Sequence, residues 1–333
     1  MESFMTGESN PSYSPEQERW LALDGFRGAA IVAMICYHAG WNLGYFHFVD
    51  AIFFQTPGWK LFGTSIAASF LLISGFSLAL AHGNGFRPRA FLKRLLKITA
   101  AAALVTAVTW YVFPDNYIFF GILHCLALTS ILAIPFLYAP LWICVLAIGA
   151  TLFAPLFLQQ SFWDQRWLDW VGLGLSEPRT NDYVPIFPWF ALVIFGVVLG
   201  RMSSYLPELF STRQTDSRLF QNAAWLGRWS LVIYLVHQPF LFGLTQLAAS
   251  SGFFAAPPSP AASFRQHCEM RCRETSANLE VCYTTCSCVT KKLTETSEYA
   301  QIWERIKADA GTPQDREQIY QLASKCFEQN LPR

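Results

Sequence analysis

The chain has 333 residues, of which 53% are hydrophobic, 16% aromatic and only 14% charged, with a formal net charge of +1. Soluble domains carry about 25% charged residues, so a plain soluble enzyme is excluded on composition. The near-zero net charge excludes a nucleic-acid binder built on a basic surface. The charge is also uneven: ten Lys/Arg and ten Asp/Glu fall in residues 255–333, leaving 14 and 13 for the first 254. That division predicts an all-α, polytopic membrane body followed by a small polar tail.

In chain order, residues 1–20 are polar and acidic and lack the basic start and cleavage site of a signal peptide, so the first span is expected to serve as an uncleaved anchor. Seven apolar segments follow, at about 24–45, 60–82, 96–114, 117–137, 140–158, 185–203 and 229–250. Each is near the roughly 20 residues that cross a bilayer core. Arg87, Arg89, Lys93, Arg94 and Lys97 read as a basic loop after the second span, and Arg201, Arg213, Arg218 and Arg228 crowd the loop after the sixth. In a seven-span count both loops fall on one side, so the positive-inside rule predicts a cytoplasmic N-terminus and an extracytoplasmic tail. A bacterial inner membrane is the expected location. The expected domains are a polar N-terminus (1–20), a transmembrane domain (21–250), a Pro-rich linker (251–262) and a Cys-rich helical tail (263–333).

The polar residues within the apolar runs carry the chemistry. Arg27 and His38 share the first span, eleven residues or about 16 Å apart along a helix. Arg27 is thereby placed at the cytoplasmic mouth and His38 well inside, with Asp24 one turn before Arg27 as its expected partner. A buried charge at that depth costs at least ~2.5 kcal/mol and needs a partner or a wet cavity. His124 and His237 each interrupt another apolar run, and three imidazoles on three spans point to a polar cavity rather than to packing alone. Asp182 has two readings: orienting an imidazole or binding an acceptor amine, or capping the helix that follows Pro185.

These residues stand in runs that resemble a known family. Leu23–Asp24–Gly25–Phe26–Arg27–Gly28 with His38 eleven residues on looks like the opening of membrane acyltransferases. The further runs FFGILHCLAL (119–128), NDYVPIFPWFALVIFGVVLGR (181–201) and LGRWSLVIYLVHQP (226–239) resemble the heparan-alpha-glucosaminide N-acetyltransferase catalytic-domain family in a short bacterial form. The R-x10-H spacing is shared with the wider acyltransferase-3 group. The resemblance implies transfer of acetyl from cytoplasmic acetyl-CoA to an amino sugar or other glycan outside, with no metal. Arg27, Arg94, Lys97, Arg201 and Arg228 are the candidate holders of the donor's phosphates. His38 is the candidate base or transient acyl acceptor. His47 is kept beside it, because in the long animal members the supposed catalytic histidine lies shortly after the first span. A transporter or flippase using the same histidine-lined cavity for proton coupling is the rival reading; it lacks an evident inverted repeat.

The tail holds Cys268, Cys272, Cys282, Cys286, Cys288 and Cys326. Cys268/Cys272 and Cys282/Cys286 are both C-x3-C pairs, and positions i and i+4 share one helix face. Two helices turning near Asn278 would join Cys272 to Cys282 and Cys268 to Cys286, leaving Cys288 for Cys326. That is one of fifteen pairings. A zinc site is the rival, favoured by a cytoplasmic location.

Overall fold

The structure, a computed structural model, describes residues 15–46, 48–49, 54, 56–83, 85–176, 178, 180–203, 217–251, 259–275, 279–308 and 310–329, with the side chains of 15–20 and 273–279 left aside. Among the described residues its regular structure is helical apart from one isolated β-bridge between Phe120 and Tyr183, and it divides into two units. One comprises residues 1–41 and 57–244, the other residues 42–56 and 245–333.

The larger unit is built on α1 (Pro15–Tyr45) as far as Trp41, α2 (Pro57–His82), α3 (Pro88–Val112), α4 (Ile122–Leu132), α5 (Leu141–Leu158), α6 (Ile186–Met202), α7 (Arg218–Arg228) and α8 (Ser230–Ser250) as far as Leu244. Pro57 and Pro88 open α2 and α3, where a missing N–H costs nothing and the fixed φ suits the first turn. Five stretches are long and apolar enough to cross a membrane: Leu21–Tyr45, Pro57–His82, Pro88–Val112, Leu141–Leu158 and Ser230–Ser250. The other two expected spans are shorter apolar helices. At 1.5 Å per residue α4 rises only about 16 Å, half of a bilayer core. Its run is bounded by Gly121 at the N-cap and broken by the 3-10 turn at Pro135–Leu137.

A second difference concerns the basic segment after α2. Arg89, Lys93, Arg94 and Lys97 are not loop residues: the helix begins at Pro88 and contains them. Charge density alone marks a loop, but Arg and Lys are good helix formers once Pro has set the first turn. The consequence is that Arg94 is carried into the bundle rather than left at its rim.

α2 and α6 make the central crossing. A Cβ on Gly75 would overlap the carbonyl oxygen of Val193, and one on Gly196 would overlap that of Leu72. Small residues of this kind let two backbones meet where lipid offers no competing hydrophobic drive. Around the crossing Leu71, Leu78, Val193, Ile194 and Val197 are buried, while Trp142, Leu156, Phe157 and Phe240 are exposed, as suits hydrocarbon. The helices alternate in direction. Tyr138, after α4, donates to the carbonyl of His82 at the end of α2, and Arg201 at the end of α6 reaches the same turn, so these ends lie together.

The smaller unit contains α9 (Pro260–Thr275), α10 (Leu279–Glu295), α11 (Ala300–Lys307) and α12 (Pro313–Gln329). Cys268–Cys286 and Cys272–Cys282 staple α9 to α10, and Cys288–Cys326 ties α10 to α12, the pairing that the spacing gave. The turn near Asn278 and most of the linker lie outside the described residues, and Pro260 already begins α9. Val289, Leu293, Ile302 and Leu322 form the core. Thr312 and Asp315 cap α12: the Thr312 N–H donates to Asp315 Oδ2 at 2.9 Å and the Asp315 N–H to Thr312 Oγ1 at 3.2 Å. Arg305 grips the same carboxylate through Nε at 2.9 Å and Nη2 at 2.5 Å, and these hydrogen bonds hold the Asp315 carboxyl well below the usual carboxylate range.

A core this small depends on its crosslinks. Closing the 38-residue separation of Cys288 and Cys326 is worth up to about 4 kcal/mol on chain-entropy grounds. Replacing both cysteines with serine is expected to remove most of the tail's cooperative unfolding, measured by hydrogen exchange of the full chain. Peptide mapping of unreduced protein should return only the three pairs above, with Cys36, Cys125 and Cys144 free. A mixed pairing would contradict the hairpin.

Candidate active site

Two polar clusters lie inside the larger unit, and a third feature is apolar. The first is cationic. Arg27 donates from Nη1 to Asp24 Oδ1 at 3.0 Å, one helical turn back, and from Nη2 to Ser77 Oγ at 2.5 Å. Ser77 passes its own proton to the carbonyl of Ile73, so it can only accept from the guanidinium. One turn earlier on α2, Ser74 Oγ accepts from Arg94 Nη2 at 2.9 Å. Arg228, the last residue of α7, brings its Nε to 3.8 Å from Asp24 Oδ2. Two guanidiniums thus share one carboxylate, and Arg94, held by Ser74 on the same α2 face as Ser77, has no acidic partner among the described residues. The cluster carries uncompensated positive charge in an apolar bundle, and an anion bound there would remove it.

Lys97 and Arg201 were expected to share this duty. Lys97 is exposed on α3. Arg201 instead donates from Nη1 to the carbonyls of Phe136 at 3.0 Å and Ala139 at 2.6 Å, closing the turn between α4 and α5. Sequence alone placed a cation there but not the orphan carbonyls that a broken apolar run leaves behind.

The second cluster is a histidine pair. His38 on α1 and His237 on α8 stand with ring centroids 4.9 Å apart. His237 is buried, and its Nδ1 lies 2.7 Å from the carbonyl oxygen of Tyr234, one turn back. A carbonyl only accepts, so Nδ1 carries the proton and Nε2 is left as a bare lone pair. That Nε2 has no hydrogen-bond partner. Tyr37 flanks His38 at 5.6 Å and itself stacks on Trp59. His47 lies outside the described residues.

His124 does not belong to this pair. Its Nδ1 accepts from the Gly121 N–H at 3.3 Å, and its Nε2 lies 3.1 Å from Thr106 Oγ1, whose own proton goes to the carbonyl of Ile118. Both ring nitrogens are therefore satisfied at the start of α4, and the histidine closes that helix end. Asp182 meets the same helix. Its Oδ2 accepts from the Ile122 N–H at 2.9 Å, so it caps α4 and not the helix after Pro185, where Pro185 itself is the N-cap residue. Burial pushes the Asp182 carboxyl above the usual range, and the Ile122 N–H pulls the other way.

The apolar feature is a cavity of about 680 Å³ on another face of α1, lined by residues such as Leu23, Phe26, Ala30, Ile66 and Leu199. It contains no ionisable side chain, so it offers nothing for proton or group transfer. The groups able to bind an anion or move a proton are the guanidiniums and the histidine pair.

Residues 19–239 match the family described as heparan-alpha-glucosaminide N-acetyltransferase, catalytic. The chain belongs to this family. It is a membrane acetyltransferase by that membership, and both clusters fall inside the matched region. No curated protein and no solved structure matches the chain.

Ser74 and Ser77 were not singled out from the sequence, although two serines three apart in the apolar run of α2 were the available signal. Tyr234 was missed as the group that sets the His237 tautomer; its place three residues before a buried histidine was the clue.

For Asp182 the cap can be tested directly. Asp182→Ala is expected to lose about 1 kcal/mol through the exposed end of α4. Asp182→Asn, also a good cap, should stay near wild type in thermal unfolding. Equal losses for both would contradict a capping role.

Proposed function

We propose that this family member moves an acetyl or similar acyl group from acyl-CoA, taken at the Arg27–Arg94–Arg228 end, to an amino sugar or other glycan presented from the opposite side. The observation that carries the reading is the arrangement of charge. One end of the bundle sets two guanidiniums on one carboxylate and Arg94 on Ser74 nearby, and two imidazoles stand together elsewhere on α1 and α8, His38 being eleven residues beyond Arg27.

The residues fit the donor's chemistry. Arg94, without an acidic partner, and Arg27, held by Ser77 with part of Asp24, would bind phosphate oxygens. About 16 Å of α1 separates Arg27 from His38, which suits a donor whose anionic end and reactive thioester are joined by a long arm. At the histidines, His237 Nε2 is oriented as a proton acceptor. It would take the proton of the acceptor amine or hydroxyl as that atom bonds to the acyl carbon and the C–S bond breaks. The proton then passes to the departing thiolate, so the imidazole ends neutral. His38 would share this role at 4.9 Å or hold the acyl group against its partner. The two spare tyrosine phenols lie beside the rings, where acceptor hydroxyls would meet them.

The proposed orientation follows the positive-inside rule, with the arginines cytoplasmic and the disulfide-bonded tail outside, where oxidised cysteines persist.

The test uses purified full-length protein in bilayer discs with labelled acetyl-CoA and an amino-sugar acceptor. His38→Ala and His237→Ala should each lower turnover by about 10²–10⁴-fold while CoA still binds. Arg94→Ala should weaken CoA binding by roughly ten- to a hundredfold, the worth of a hydrogen bond to a charged group. Near-normal turnover in His237→Ala would remove the base assigned to it. Uptake of substrate into vesicles without acetyl transfer would favour a transporter instead.

A further inference from the structure

α7 is unlike the other helices of its unit. It lies at the arginine end, and only Trp229 separates it from the first residue of the membrane-crossing α8. Its sequence, RLFQNAAWLGR, contains two arginines and no acid.

Its two faces differ. The inner face packs backbone against backbone on α1. A Cβ on Gly28 would overlap the carbonyl oxygen of Ala223, and one on Gly227 would overlap that of Asp24. The second contact seats Arg228 beside Asp24 Oδ2, while Arg27 holds Oδ1. The outer face exposes Arg218, Asn222, Trp225 and Trp229, at i, i+4, i+7 and i+11, flanked by Leu219 at 80% exposure. Tryptophan, leucine and arginine on one stripe beside a membrane span are the groups that sit in a headgroup layer. With no carboxylate on the helix, that stripe complements negative charge, and the leaflet on a cytoplasmic side supplies it.

We propose that α7 is an anionic-lipid docking helix that tunes the donor site. Anionic headgroups on the Arg218–Trp225 stripe press the helix onto Gly25 and Gly28 of α1. Seated there, Arg228 shares the Asp24 carboxylate, and Arg27 is left with more uncompensated charge for an anionic ligand. When α7 lifts, Asp24 neutralises Arg27 alone. The coupling rests on the reading of these arginines as the CoA site; the lipid docking does not.

The experiment uses the full chain in discs of phosphatidylcholine with and without phosphatidylglycerol. One arm measures headgroup photocrosslinking, mapped by mass spectrometry. The other measures CoA affinity by calorimetry. A phosphatidylglycerol probe should label residues 218–229 in preference to a phosphatidylcholine probe, and Arg218→Gln and the double variant R218E/W225E should lose that preference. Equal labelling by both probes, or none in this segment, would overturn the docking. CoA should bind severalfold tighter in the anionic discs, against the general repulsion of CoA by an anionic surface, and the gain should vanish in Arg218→Gln. Unchanged or weaker binding would overturn the coupling. If CoA binds in neither disc the donor reading itself has failed, and crosslinking still decides the docking.

Discussion

A guanidinium inside an apolar bundle has to be solvated by the protein, and the way Arg27 is solvated organises the larger unit. Its charge is held by Asp24 from its own helix and by a serine of α2 whose hydroxyl proton is already committed to Ile73. Removing Asp24 would leave that charge without an ionic partner, which costs several kcal/mol in such a site. The requirement fixes the register of α1 against α2. Arg94 then follows from the next turn of the same α2 face, through Ser74. The close crossing of α2 and α6 at Gly75 and Gly196 holds that face in position, because side chains larger than hydrogen would push the backbones apart.

The same helix carries three functions on three faces. Arg27 and His38 face the polar interior, Gly25 and Gly28 receive α7, and Leu23, Phe26 and Ala30 line an apolar groove. A single span therefore joins the charge cluster to the histidine pair, and a shift of α1 would alter both. Such coupling would serve the proposed transfer, in which a donor and an acceptor meet from opposite sides of a membrane.

The sequence revealed the helical class, the Asp24–Arg27 pair, the tail's disulfides and a grouping of three intramembrane histidines, of which the structure brings together His38 and His237. Each follows from a short-range rule: apolar length, i to i+3 spacing, C-x3-C on one helix face, or an imidazole too costly to leave in lipid. What was not legible depended on long-range geometry. His124 looked like a third member of the cavity, but Thr106, eighteen residues earlier, and its own helix end satisfy it. Asp182 caps a helix sixty residues before it in the chain. Arg201 closes the turn at which the fourth apolar run breaks, after Pro135–Leu137. The basic segment after α2 read as a loop from its charge, whereas Pro88 starts a helix through it and delivers Arg94 inward.

The central claim is that the buried arginines recognise the anionic end of the donor and the histidines act on its other end. The most direct measurement is the affinity of acetyl-CoA compared with acetyl-pantetheine, which has the thioester and arm but none of the phosphates, on wild-type protein and on Arg94→Ala. The account predicts that wild-type protein binds acetyl-CoA at least about tenfold more tightly, the loss of a charge-assisted contact, and that the difference shrinks in Arg94→Ala. Equal affinity of the two compounds for wild-type protein, or a difference untouched by Arg94→Ala, would contradict it.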